Sequence, residues 1–162
     1  MLSSIGKIRG MRVAVVLAAA LAVTACARNQ SGQDGSIAGQ AVPGSAQDFV
    51  VNVGDRVYFE VDQTDLTPLA RDTLNKQAQW LARYPKYTVT VEGHADERGT
   101  REYNLALSAR RSTVTRDYLM SLGVQPNRMR TVAYGKERPV AVCSDESCFS
   151  QNRRAVTVLN TN

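Results

Sequence analysis

The chain has 162 residues, with 20 Lys and Arg against 15 Asp and Glu, a formal charge of +5, one histidine and three cysteines. That length points to one domain with appendages, and a lone histidine leaves too few soft ligands for a zinc centre. Three of the basic residues lie in an N-terminal leader, and the +2 that remains without them argues against a nucleic-acid-binding face.

In chain order, Lys7, Arg9 and Arg12 precede the apolar run VAVVLAAALAV (13–23), which is too short to span a bilayer. With the small residues up to Cys26, residues 1–25 read as a three-part secretory signal. Val23-Thr24-Ala25-Cys26 resembles a bacterial lipobox, in which the cysteine is lipidated and becomes the mature N-terminus. Residues 26–48 then form the lipidated cysteine and a tether. The stretch RNQSGQDGSIAGQAVPGSAQD (28–48) has almost no large apolar residue and cannot bury enough surface to fold. As a coil it spans roughly 25 Å, and pulled straight about 70 Å.

The domain proper is expected over 49–162. RVYFEV (56–61) is aromatic and β-branched and predicts a strand. Thr67-Pro68 supplies an N-cap and first helical position, and Leu69, Leu74, Ala78 and Leu81 keep helical spacing until Pro85. YTVTVEG (87–93) predicts a second strand. Gly99-Thr100 opens a long helix that closes at Gly123, before Pro126. MRTVAYG (129–135) and RAVTVLN (154–160) predict two more strands, on either side of a cysteine loop. This order gives an α/β sandwich of βαβαβ type, with two main helices packed on one four-stranded mixed sheet. Cys143 and Cys148, with four residues between them, read in an exported protein as a local disulfide rather than half a metal site.

The segment EGHADERGTREYNLALSARR (92–111) places eight charged side chains and the only histidine in twenty residues. On a helical wheel, Tyr103, Leu107, Val114, Tyr118 and Leu122 form the core-facing stripe, and Arg111 falls inside it. Arg110 sits at its edge and can snorkel to water. A buried guanidinium needs an anion. Asp96, in the loop after the second strand, is the first candidate, and Asp62, after the first strand, is the second. Ligands collect outside the carboxyl ends of strands in such sheets. Two acids and an arginine there suit a zwitterion, the acids taking an ammonium and the arginine a carboxylate. The same pattern equally describes an ion pair that braces the helix. His94 beside Asp96 and Glu97 invites a general-base reading, but no nucleophile accompanies it. No catalytic residue, metal or cofactor is expected.

GHADERGTREYNLALSARR, AYGKERP (133–139) and QNRRAV (151–156) together identify residues 57–159 as resembling the OmpA-like peptidoglycan-binding domain family. Within it, GHADERGTREYNLALSARR and AYGKERP are similar to its Tol-Pal lipoproteins, and with the lipobox and tether the resemblance covers nearly the whole architecture. The resemblance implies non-covalent binding of the diaminopimelate of a peptidoglycan stem peptide, with Asp96 and Arg111 as principal contacts. Asp62, Arg98, Asn104 and Leu107 match supporting positions, and Arg154 is carried over from the closing motif. The implied partners are TolB and other Tol proteins, with the outer membrane reached through a lipid on Cys26 and the domain in the periplasm. Ala27 lacks the acidic character associated with inner-membrane retention. The alternatives are a lipoprotein of another envelope or secretion machine, or a periplasmic hydrolase using His94. Glu60-Val61 departs from the Asp-Phe common in the family, and Thr115 from an aliphatic residue.

Overall fold

A computed structural model describes residues 41–161; the leader, Cys26 and most of the expected tether lie outside the described residues. Strand β1 (Arg56–Tyr58) is followed by helix α1 (Pro68–Arg83), strand β2 (Tyr87–Gly93) and helix α2 (Arg101–Ser121). Strand β3 (Met129–Ala133), a short helix α3 (Glu146–Asn152) and strand β4 (Arg154–Thr161) complete the domain. The sheet order is β1-β4-β2-β3. β4 runs antiparallel to both neighbours, while β2 and β3 pair in parallel, so the sheet is mixed as expected. Among the described residues no helix is long and apolar enough to cross a membrane.

Both main helices start where the capping signals place them. The Thr67 hydroxyl accepts from Ala70 N–H at 3.1 Å, with Pro68 at the first helical position, and the Thr100 hydroxyl accepts from Tyr103 N–H at 3.2 Å. On α1 the buried face is Ala70, Leu74, Gln77, Ala78, Trp80 and Leu81. Leu69 is not part of it; it stands 75% exposed. Gln77 is buried because both ends of its amide are used, donating to Gly54 O at 2.7 Å and accepting from the Thr157 hydroxyl at 2.8 Å.

Helix α2 is rotated from the face that its apolar residues predict. Tyr103 and Leu122 are exposed, and the buried side is Asn104, Leu107, Ser108, Arg111, Ser112, Thr115 and Leu119. At about 100° per residue this is a turn of roughly 60° about the axis. Ser108, Ser112 and Thr115 donate their hydroxyls to Leu105 O, Ala109 O and Arg111 O within their own helix, at 2.8–2.9 Å. Satisfied in this way, they pack like small apolar groups. Their size lets α2 approach the sheet closely: a Cβ on Gly93 would lie 1.9 Å from Ser108 O. Only glycine fits there.

The last residues read as tether are folded onto the domain. Ala41 is buried, Tyr87 donates its hydroxyl to Gly44 O at 2.9 Å, and Asp48 accepts from Trp80 Nε1 and Gly44 N at 2.8 Å each. Phe49, Tyr84 and Tyr87 surround Trp80 with ring centroids 4.6–5.1 Å away. Aromatic packing of this kind adds to area burial, which is why the strap holds despite its Gly- and Ser-rich composition.

Cys143 and Cys148 are joined, with Cα atoms 5.6 Å apart, and close the turn that leads into α3. The sequence reading had only a loop here. Asp145 caps the helix, its carboxylate accepting from Ser147 N at 2.8 Å, and Asn152 at the far end holds Val140 N, at 2.8 Å, and Ala141 O, at 2.8 Å. So short a ring contributes about 2 kcal/mol by loop entropy. Denaturant titration with and without a thiol reductant is expected to show a loss of that size with the far-UV spectrum unchanged; complete unfolding on reduction would contradict it.

Candidate ligand-binding site

The β2–α2 loop is held from several sides. Ala95 N–H donates to Gly135 O at 2.8 Å, Lys136 Nζ donates to Glu97 O at 3.1 Å and Gly99 O at 2.8 Å, and Asn104 Nδ2 donates to Arg98 O at 2.8 Å. Facing it is the turn after β1, where Gln63 N–H donates to Glu60 O at 3.1 Å and Asp62 has φ of 57°. Aspartate tolerates that left-handed backbone better than most residues.

Arg111 joins the two loops. Its Nε donates to Gln63 O at 3.0 Å, Nη2 to Glu60 O at 3.2 Å and Nη1 to His94 O at 3.0 Å. The guanidinium also lies 5.1 Å from the Phe59 ring centre. The expectation of a direct Asp96–Arg111 ion pair is corrected here: three backbone carbonyls, not a carboxylate, compensate the buried charge. Burial lowers the Arg111 pKa to about 10, partly offset by Asp96 and Asp62, so the group stays cationic at neutral pH. Three of its five N–H groups are engaged, leaving two.

Asp96 pairs instead with Arg98, whose Nη2 is 2.5 Å from Oδ2 and whose backbone N–H is 3.1 Å from Oδ1, and with Arg153, whose Nη1 is 3.4 Å from Oδ2. Burial raises the Asp96 pKa, but hydrogen bonds from Arg98 and Arg153 outweigh it and hold the carboxyl below its usual range. Arg153 is 4% exposed and also donates to Phe59 O at 3.0 Å and Glu146 Oε1 at 2.5 Å. A pocket of about 230 Å³ opens between these groups, bordered by Asp62, Asp96, Arg98, Asn104, Leu107, Arg111 and Arg153, with Val61, Gly99 and Tyr103.

Six of the seven predicted binding residues therefore come together. Arg154 does not: its Nη2 donates to Arg138 O at 3.2 Å and Nη1 to Asn152 O at 3.4 Å, away from the pocket. Arg153 takes the pocket position because alternate strand residues face opposite sides. It is in phase with Ala155 and Thr157, which are paired with Gly93 and Val91 on the helix-bearing face. Continuing that period of two backwards from β4 is the signal that finds it. Tyr103, read as core, is instead a rim residue whose hydroxyl donates to Asp62 Oδ1.

His94 is 3% exposed and does not border the pocket. Among the described residues neither ring nitrogen has a hydrogen-bond partner, and the ring stacks on Tyr134 at 5.4 Å. Its contribution is its main chain, which accepts from Arg111. Burial, with Arg154 and Arg138 nearby, lowers its pKa to about 4. Glu92 is 3.7 Å away and pulls the other way, but weakly, being partly solvated. A depressed histidine contributes stability fully above the unfolded pKa of about 6.5, and that stability is lost as pH falls from there towards 4. Denaturant titrations are expected to show about 2 kcal/mol lost between pH 7 and pH 5, absent in His94→Phe. An unchanged slope in that variant would assign the effect to carboxylates.

The OmpA family profile matches residues 58–153. A peptidoglycan-associated lipoprotein of Brucella melitensis is 60% identical over 153 residues, covering 91% of both chains. Another, of Rhizobium meliloti, is 61% identical over 152 residues, covering 91% of this chain and 86% of its own. The crystal structure of the peptidoglycan-associated lipoprotein from Burkholderia pseudomallei superposes with a TM-score of 0.67 at 36% identity, over 72% of this chain and all of that one. With the mixed four-stranded sheet and the Asp96–Arg111 loops already in place, the match settles the affiliation: the chain belongs to the OmpA family.

Proposed function

We propose that this protein binds peptidoglycan non-covalently through the pocket between Asp96 and Arg111, taking the free end of the diaminopimelate in a stem peptide. The observation that carries the reading is the convergence of an ionised carboxylate and a buried guanidinium on one small pocket. The ammonium goes to Asp96, and the carboxylate goes to Arg111 as a charge-assisted, two-pronged contact. Asp62 and Tyr103 close one side, Leu107 gives an apolar wall, and Asn104 fixes the loop that carries Arg98. The protein is not an enzyme, and His94, buried and neutral, has no route to a substrate.

The names of the relatives and the lipobox support an outer-membrane lipoprotein anchored through Cys26, with its domain in the periplasm. In this reading the protein ties the membrane to the cell wall, works with TolB and other Tol proteins, and supports envelope integrity and division. The mature protein is expected to sediment with purified sacculi and to be released by free diaminopimelate in excess; sedimentation that diaminopimelate does not compete would place binding elsewhere. Cys26→Ser is expected to give a soluble periplasmic or an uncleaved product, since stable anchoring takes more than one acyl chain. Recovery of that variant in mature outer-membrane form would sink the anchor.

A further inference from the structure

Arg111 borders the pocket yet is 0% exposed, so a ligand reaches it only when a rim group moves aside. Asp96 has the same difficulty: Arg98 and Arg153 already face its carboxylate, and an arriving ammonium would make a third cation around one anion. Of the two arginines, Arg153 is 4% exposed and tied to Phe59 O, whereas the Arg98 side chain is 43% exposed. Arg98 is the group free to leave.

A second anion for it is already within reach. The Nη2 atom that touches Asp96 lies 3.8 Å from Glu146 Oε2, and the Arg98 guanidinium carbon is 4.5 Å from the centre of the Phe149 ring. Both residues belong to the first turns of α3. That helix is pinned at its start by the Cys143–Cys148 disulfide and the Asp145 cap, and at its end by Asn152. Glu146 also bonds Arg153, so one carboxylate of α3 serves both arginines of the pocket. With Glu146 included, Asp96 is not the only anion available to them.

Resting on the peptidoglycan reading of the pocket, we propose that Arg98 is a displaceable latch: keeping the Phe149 contact it already has, it gives up Asp96 for Glu146 when Asp96 takes the ligand ammonium, and the Cys143–Cys148 disulfide holds Glu146 in position. No net charge moves in the exchange. Asp96 trades one cation for another, Glu146 gains the one released, and the ligand carboxylate is matched by Arg111. Glu146 is thus a positioning residue that acts through Arg98, and the cysteine ring links the oxidation state of the chain to the strength of its grip.

The test measures binding of a free diaminopimelate-containing stem tripeptide to the full mature protein by calorimetry. Glu146→Gln keeps the shape and removes the charge that receives Arg98. It is expected to weaken binding about two- to fivefold, the value of one exposed ion pair, and Glu146→Asp is expected to restore part of it. The pair Cys143→Ser and Cys148→Ser, or the parent after reduction by a dithiol, is expected to weaken binding by a similar factor. Neither change is expected to matter in an Arg98→Ala background, where no latch has to be parked. A merely structural role for α3 would persist there, so equal losses with and without Arg98 overturn the proposal. Unchanged affinity of folded Glu146→Gln and of the reduced protein overturns it as well. If the parent itself fails to bind the tripeptide, the pocket reading fails and the latch with it, an outcome distinct from a parent that binds and variants that do not differ.

Discussion

Arg111→Ala is expected to lower folding stability by about 3–5 kcal/mol, from three buried carbonyls that each lose a charged donor, less what entering water restores. The loss has a definite origin. Gln63 O, Glu60 O and His94 O would each lose a charged donor, and an unsatisfied buried carbonyl costs about 1–3 kcal/mol. Water entering from the pocket recovers part of that. The turn carrying Asp62 and the end of β2 are held together by this one side chain, so its removal also frees the loop geometry on which the pocket depends. Arg111→Lys retains the charge but not the planar fork, and an ammonium holds its three donors at one point where the guanidinium spreads them over three nitrogens; an intermediate loss is expected. Chemical denaturation reads both. A loss below about 1 kcal/mol for Arg111→Ala would mean that the carbonyls find other donors and that the arginine is present for the ligand alone.

The second large effect is on binding. Asp96→Asn keeps the shape of the side chain and removes its charge. Loss of a buried charge-assisted contact costs about 2–5 kcal/mol, which is sufficient to abolish retention on sacculi. Folding is expected to change much less, because Arg153 still has Phe59 O at 3.0 Å and Glu146 at 2.5 Å, and Arg98 is largely at the surface. That separation makes Asp96→Asn the cleaner probe of function, whereas lost binding in Arg111→Ala mixes two causes. The two losses are not expected to add, since each substitution deprives the same zwitterion of one of its two counter-charges. A folded Asp96→Asn that sediments with sacculi as the parent does would move the binding site away from this pocket.

Much of this was legible in the residues. The caps at Thr67 and Thr100, the apolar alternation of YTVTVEG and the glycine beyond α2 are local signals, and local backbone and side-chain preferences produce them without reference to the rest of the chain. Asp62, Asp96 and Arg111 could be brought to one edge of the sheet because strand-to-helix order alone places those loops side by side. The cysteine pair needed only proximity in sequence and an oxidising compartment.

What the sequence could not supply was the choice among partners of equal chemistry. Arg111, Arg98 and Arg153 all suit Asp96, and only the tertiary structure decides that Arg98 and Arg153 meet it while Arg111 turns to three carbonyls. Arg153 and Arg154 differ by one position, and which of them enters the pocket depends on the register of β4 against β2, a pairing between residues more than sixty apart. The face of α2 was misread for a related reason. Serine and threonine count as polar in a sequence, but their burial depends on whether the helix itself takes up their hydroxyls and how close the sheet comes, and Gly93 brings it very close. The sequence by itself thus determined the order of the four strands and two main helices and the inventory of charges. The tertiary structure decided which charges touch, because ion-pair and hydrogen-bond choices are made between loops that only the finished sheet brings within a few ångströms.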